Sequence, residues 1–139
     1  MSRKVVFIMR IGEVAQASGA SVTTVRFYER EGLLSEPMRS DGNYRVYERH
    51  HVSSLRFILH CRSLGMTLDE VRSLLKFMET PDQGCQLVNK LLDEHIAQVA
   101  EKIGQLQALK NELQRVRAKC HGADSINQCG ILRELTHQA

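Results

Sequence analysis

From Gln86 to Lys119 the chain runs without a proline and with one glycine, Gly104. Within it Leu92, Ile96, Val99, Ile103, Leu106, Leu109, Leu113 and Val116 recur at steps of three or four. That spacing lays them along one narrow stripe of an α-helix, the seam of a coiled coil. At 1.5 Å per residue the helix is about 50 Å long, too long to be enclosed by a chain of 139 residues. The seam therefore requires a partner helix. No other stretch offers a stripe of that length, so a second copy of the same chain is the expected partner.

Cysteines flank this helix. Cys85 precedes it, Cys120 follows it, and Cys129 comes nine residues later. Within one chain Cys85 and Cys120 are expected about 50 Å apart, whereas a metal–sulfur bond is about 2.3 Å. If two copies pair antiparallel, Cys85 of one approaches Cys120 and Cys129 of the other. Two symmetry-related three-thiolate sites result, one at each end of the dimer. A thiolate is favoured at Cys85 by the helix N-terminus and disfavoured at Cys120 by the C-terminus. Cys61 falls inside a helical stretch and reads as buried packing. His95, ten residues past Cys85, reads as a seam residue.

The longest early apolar run, Val5 to Met9, is too short for a signal peptide or a membrane span. The cytoplasm is the expected compartment, and four cysteines there suggest ligands or sensors rather than a disulfide framework. Charge is uneven. Residues 1–80 hold 12 Lys and Arg against 9 Asp and Glu, while residues 81–139 hold 7 of each. Every cation from Arg10 to Arg72 is arginine, the side chain suited to bidentate phosphate contact.

Residues 1–8 carry no pattern, and Met9 is an alternative start. Ile11 to Ser18 reads as a short helix, Gly19-Ala20 as a turn, and Ser21 as the cap of a second helix that Gly32 stops. This is helix-turn-helix spacing, in which the N-terminal part of the second helix leads into the major groove. Here that part carries Thr23, Thr24 and Arg26, followed by Phe27 and Tyr28. Asp41-Gly42 signals a hairpin, a wing whose Arg39, Asn43, Tyr44, Arg45 and Tyr47 suit phosphate contact. The alternative is that the tyrosines pack the hairpin onto the helices. Further helices are expected from His51 to Leu64 and, after the capping box Thr67-Leu68-Asp69-Glu70, through Met78. Thr80-Pro81-Asp82 reads as a hinge, His121 to Gln128 as a polar loop, and Gly130 to Leu135 as a last short helix that presses Cys129 toward Cys120.

These segments resemble the MerR family of metal-responsive transcriptional regulators from Met9 to Leu135. The DNA-binding half matches through Ile11-Gly12-Glu13-Val14-Ala15, Thr24-Val25-Arg26-Phe27-Tyr28-Glu29 and Gly32-Leu33-Leu34. The wing from Arg39 to Tyr47 matches, as does the stretch from Cys61 to Leu68. A cysteine at the place of Cys85 marks the divalent-metal sensors of the family; the copper and gold sensors carry serine there. The zinc sensors place two adjacent cysteines near the end of the long helix, where this chain has Cys120-His121. The mercury sensors share the cysteine spacing but follow the third cysteine with proline. Cys129-Gly130-Ile131-Leu132, Pro81-Asp82-Gln83, Val88-Asn89 and Leu92-Asp93-Glu94-His95-Ile96 look like the cadmium- and lead-responsive branch.

The resemblance implies a mainly α fold: a winged helix-turn-helix DNA-binding domain over residues 9–80, a hinge and antiparallel dimerisation helix over 81–120, and a metal-binding loop and short helix over 121–139. It implies a homodimer on promoter DNA that bends and untwists the duplex for RNA polymerase when metal binds. The expected metal ligands are Cys85, Cys120 and Cys129. Three thiolates suit a soft divalent cation, cadmium or lead first, with mercury or zinc as further candidates. Lead and mercury accept three sulfurs; cadmium and zinc call for a fourth ligand, water or His121. Two other readings fit parts of the pattern. One is a thiol-redox switch on the same cysteines. The other is a zinc-stapled coiled-coil adaptor or small metalloenzyme without a DNA role, which leaves the wing and its arginines unexplained. No base stands beside a nucleophile in the sequence, and no enzyme activity is expected.

Overall fold

Eight residues suffice for the first helix, α1 (Ile11–Ser18), because both of its ends are capped. The Arg10 backbone N–H donates to Glu13 Oε1 at 3.3 Å, and Gly19 closes the far end at φ 79°, a left-handed conformation that glycine adopts without penalty. Two residues later Ser21 Oγ accepts from the Thr24 backbone N–H at 3.1 Å and opens α2 (Val22–Arg30). The computed structural model describes residues 8–122 and 125–137 of the chain. Residues 1–7 of the unpatterned start lie outside the described residues, as do Ala123 and Asp124 of the expected polar loop.

A small hairpin follows α2: β1 (Met38–Arg39) pairs antiparallel with β2 (Arg45–Val46), Met38 opposite Val46 and Arg39 opposite Arg45. Its turn differs from the two-residue one that Asp41-Gly42 suggests. The Asn43 N–H donates to the Ser40 carbonyl at 2.8 Å, and Asn43, not Gly42, has positive φ, 64°. A three-residue loop needs its left-handed residue last, and asparagine tolerates that conformation. A Cβ on Gly42 would sit 2.9 Å from the ring of exposed Tyr44, which would have to turn aside. Met9 adds a bridge on the other side, exchanging two 2.8 Å backbone hydrogen bonds with Tyr47.

Next come α3 (Arg49–Ser63) and α4 (Leu68–Phe77), the latter opened by a reciprocal capping box between Thr67 and Glu70. Helix α1 packs on α2 and α3, and α3 packs on α4. Val14, Val25, Leu55, Ile58 and Val71 meet at the centre with no exposed surface. Cys61 is buried among these helices and its thiol pKa is pushed up by burial, as packing predicts. Two exposed arginines tie helices together. The Arg56 guanidinium donates to the Ala17 carbonyl at 2.7 Å, and Arg72 donates to the Glu31 carbonyl at 2.9 Å. Both acceptors lie at helix C-terminal ends, where cations are favoured.

The chain divides between Val88 and Asn89 into two compact units. Helix α5 (Gln86–Arg117) crosses that boundary as one uninterrupted helix of 32 residues. After it, a single 3-10 turn (Ile126–Gln128) replaces part of the expected loop, and α6 (Gly130–His137) follows. In this second unit α6 is joined to α5 through Arg115, which binds Glu112 on its own helix and Glu134 on α6. No helix among the described residues is long and apolar enough to cross a membrane.

Two predictions concern the first unit. Replacing the fully buried Leu55 with alanine is expected to lower stability by about 2–5 kcal/mol, read as a lower urea midpoint. Buried His51 accepts the Glu48 N–H on Nδ1 at 2.9 Å and meets Ser35 Oγ through Nε2 at 3.2 Å. Burial first, then the neighbouring His50, hold its pKa below 6.5. The folded ring therefore stays neutral while the unfolded chain gains a proton below about pH 6.5. Stability is expected to fall as pH drops from about 6.5 toward the lower folded value. His51→Asn, which keeps an acceptor but cannot titrate, is expected to flatten that slope in urea unfolding between pH 7.5 and 5.5.

Candidate nucleic-acid interface and metal centre

Helix α2 and the hairpin meet at a shared carboxylate. Glu29, near the end of α2, accepts a hydrogen bond from the Tyr47 hydroxyl and lies 3.4 Å from the Arg45 guanidinium. Tyr47 has no exposed surface, and burial followed by the Glu29 hydrogen bond pushes its pKa up to about 12. Its hydroxyl stays protonated and committed to Glu29 at any ordinary pH. Tyr47 was expected among the phosphate-contacting residues. That expectation is corrected: the ring is core, and its hydroxyl holds the wing to the recognition helix. Tyr28 is buried as well, edge-on to Phe27. Thr24 is half-buried, with its hydroxyl 2.9 Å from the capping Ser21 Oγ.

The remaining candidates converge. Arg26 of α2, Arg39 and Arg45 of the hairpin strands, and Asn43 and Tyr44 of its turn line one open cleft of about 400 Å³, together with Arg10. An adjoining cleft of about 250 Å³ is lined by Thr23, Arg26, Glu29, Arg30 and Arg45. Thr23, Arg26, Arg39, Asn43 and Tyr44 are exposed. Arg10 lies over the Tyr44 ring, 5.0 Å from its centre, and Arg39 donates to the Asn43 carbonyl at 3.2 Å. These contacts hold two guanidinium groups in place without neutralising them. Four arginines around one concavity focus positive potential on a space a phosphate can enter, and phosphate contacts fix register on a duplex.

Sequence reasoning missed Arg10, Arg30 and the organising Glu29. Arg10 reaches the cleft because its neighbour Met9 bridges to Tyr47, a pairing of distant residues with no local pattern. Glu29 carried one available signal: an acidic residue among the cations of a helix expected to meet phosphate has a structural partner.

The cysteines divide. Cys85 is exposed just before the first residue of α5. Cys120 and Cys129 are half-buried in the second unit, and their surroundings are brought together there. A Cβ on Gly130 would lie 2.3 Å from the Lys119 carbonyl oxygen, so the residue after Cys129 rests against the residue before Cys120. Only a glycine fits that approach. The Arg117 guanidinium donates to the Cys120 carbonyl at 2.7 Å, and the Cys129 carbonyl accepts from the Arg133 N–H at 3.1 Å. His121, the considered fourth ligand, is exposed, and His95 is buried. Among the described residues, no three metal-ligating side chains gather within the single chain. Two thiols on a braced loop fit a soft cation as part of a donor set.

A capped helix pair, a basic wing and a cleft shared between them define a winged helix-turn-helix DNA-binding protein. Residues 9–77 match the family described as MerR HTH family regulatory protein, and residues 52–116 match MerR, DNA binding. A curated relative, the HTH-type transcriptional regulator ZntR homolog of Haemophilus influenzae, is 40% identical over 111 residues, covering 80% of this chain and 82% of its own. The crystal structure of the transcription regulator PbrR691 from Ralstonia metallidurans CH34 in complex with lead(II) superposes with a TM-score of 0.84 at 50% identity. That match covers 91% of this chain and 98% of the other. The mercury(II) complex of the Bacillus megaterium MB1 regulator MerR gives a TM-score of 0.72 at 29% identity, covering 92% and 99%. The chain belongs to the MerR family of helix-turn-helix transcriptional regulators. It is a regulator and not a catalyst.

Gly130→Ala tests the close approach. The added methyl group must displace the backbone at Lys119, so α6 is expected to lose protection. Faster amide exchange in Ile131–His137 with unchanged exchange in α1–α4 is the expected result.

Proposed function

We propose that this chain is a transcriptional activator responsive to a soft divalent metal, lead or cadmium first, acting as a homodimer on promoter DNA. The observation that carries the reading is the state of α5. Ile96, Ile103, Leu106, Leu109 and Leu113 each leave more than half of their surface exposed along one stripe, and a cysteine stands beyond each end of the helix. Burying such side chains is worth about 1.5–3 kcal/mol each, so a second α5 covering five of them offsets much of an association cost of about 4–15 kcal/mol. The 50% identity to a regulator crystallised with lead(II) supports the choice of metal.

In the antiparallel pairing of two α5 helices, Cys120 and Cys129 of one copy would hold the cation with Cys85 of the other. A bound soft cation keeps all three thiols deprotonated, so uptake releases protons. Moving a two-state equilibrium from 1:99 to 99:1 takes about 5.5 kcal/mol of differential affinity. Thiolate sites bind zinc with about 10–16 kcal/mol, and bending a promoter costs about 1–6 kcal/mol. The cation can thus select the protein–DNA state with distorted duplex that RNA polymerase uses. The four arginines of the wing cleft supply the phosphate contacts, with Thr23 and Arg26 leading α2 into the major groove.

The test uses purified protein and a promoter carrying its operator. Cys85→Ser, Cys120→Ser and Cys129→Ser are each expected to abolish lead-induced transcription while sparing operator binding; induction retained in any one removes that thiol from the site. Mixed dimers of Cys85→Ser with Cys120→Ser are expected to regain one site of the two. Activation by diamide without metal would instead favour the thiol-redox reading. Arg10→Ala and Arg45→Ala are each expected to weaken operator binding across sequences and to lower the salt slope by about 1; unchanged affinity excludes that arginine from the phosphate contacts.

A further inference from the structure

The segment carrying Cys120 and Cys129 is polar, and Ile126 within it is exposed. In the second unit α6 presents a hydrophobic side that includes Ile131 and Leu135, yet Leu132 and Leu135 remain exposed, so packing alone does not seat it. What spans from α6 to α5 is an ion-pair cluster. Arg115 Nε donates to Glu112 Oε2 at 3.0 Å and Nη2 donates to Glu112 Oε1 at 2.6 Å, while the same Nη2 reaches Glu134 Oε1 on α6. The two acids differ. Glu112 is a turn away on the same helix and half-exposed; the Glu134 side chain is 18% exposed and lies 19 residues on in sequence. Only the second contact constrains the fold of the loop. Gly130 abuts Lys119 at one end of the connection, and Glu134 is pinned four residues later at the other. Cys129 immediately precedes the segment those two anchors hold.

We propose that Arg115 and Glu134 form a clasp that positions Cys129 beside Cys120, so that metal affinity is set by two residues that do not touch the metal. The inference rests on the metal reading above and adds to it the residues that preorganise the site. A guanidinium serves because its planar fork grips Glu112 through Nε and Nη2 while the same Nη2 reaches Glu134; a lysine ammonium has donors for two carboxylates but no fixed fork to set their geometry. An exposed ion pair by itself is worth little stability. Its effect lies in fixing ligand geometry, where supporting residues are worth about 10–100-fold in metal affinity.

Lead titration, followed by thiolate-to-lead charge-transfer absorbance, and amide exchange of α6 in the metal-free full-length protein test the clasp together. Glu134→Gln and Arg115→Met are expected to weaken lead binding about tenfold and to speed exchange in Ile131–His137. Arg115→Lys is expected to recover part of both. Glu112→Gln cuts the intrahelical half alone and is expected to stay within about twofold of wild type. Wild-type affinity in Glu134→Gln overturns the proposal, as does weakened affinity with unchanged α6 exchange, which would make the effect one of charge. If the wild-type chain takes up no lead, the metal reading fails, and the exchange comparison still decides whether the clasp holds α6.

Discussion

The Glu29 carboxylate organises the DNA-binding unit. It stands on the recognition helix, accepts a hydrogen bond from the hydroxyl of buried Tyr47, and faces the Arg45 guanidinium across 3.4 Å. Through Tyr47 it also reaches Met9, whose backbone pairs with that of Tyr47. Helix, hairpin and the segment entering α1 are thereby tied to one carboxylate whose side chain is only 10% exposed, where loss of its partners would be costly. The consequence is a basic cleft whose four arginines come from three separate segments and keep one arrangement.

The second constraint is of the opposite kind. Along α5 the described residues leave Ile103, Leu106 and Leu109 more than half exposed, so the helix is as apolar on one stripe as a core and as exposed as a surface. An unpartnered stripe of this length marks an interaction site. In the proposed dimer, the pairing that buries the stripe would also bring Cys85 of one copy to Cys120 and Cys129 of the other and complete the donor set, so that dimerisation and metal binding would be one design.

Local features were legible because their partners are near in sequence. Ser21 capping Thr24, the reciprocal box of Thr67 with Glu70, and α5 itself were read from spacing and were found where spacing put them. The family match could be read from the helix-turn-helix and wing segments. What escaped involved residues far apart along the chain. Arg56 and Arg72, two of the all-arginine cations between Arg10 and Arg72, donate to carbonyls 39 and 41 residues away. For Tyr47 the sequence left phosphate contact and packing both open, because a residue just past a two-residue strand carries no alternation to say which face is covered. Asp41-Gly42 marked the turn, but loop length put the left-handed residue at Asn43.

The sequence alone determined the period of the long helix, the caps that start and stop the short ones, and the spacing of three cysteines about a rod, because each depends on residues within a turn or two. Only the tertiary structure decided which arginines face the cleft and which staple helices. It alone showed that Tyr47 belongs to the core and that Gly130 must be glycine. Those outcomes turn on which distant backbones come within a few ångströms of one another, and hydrophobic packing of the whole unit sets that distance, not any local pattern.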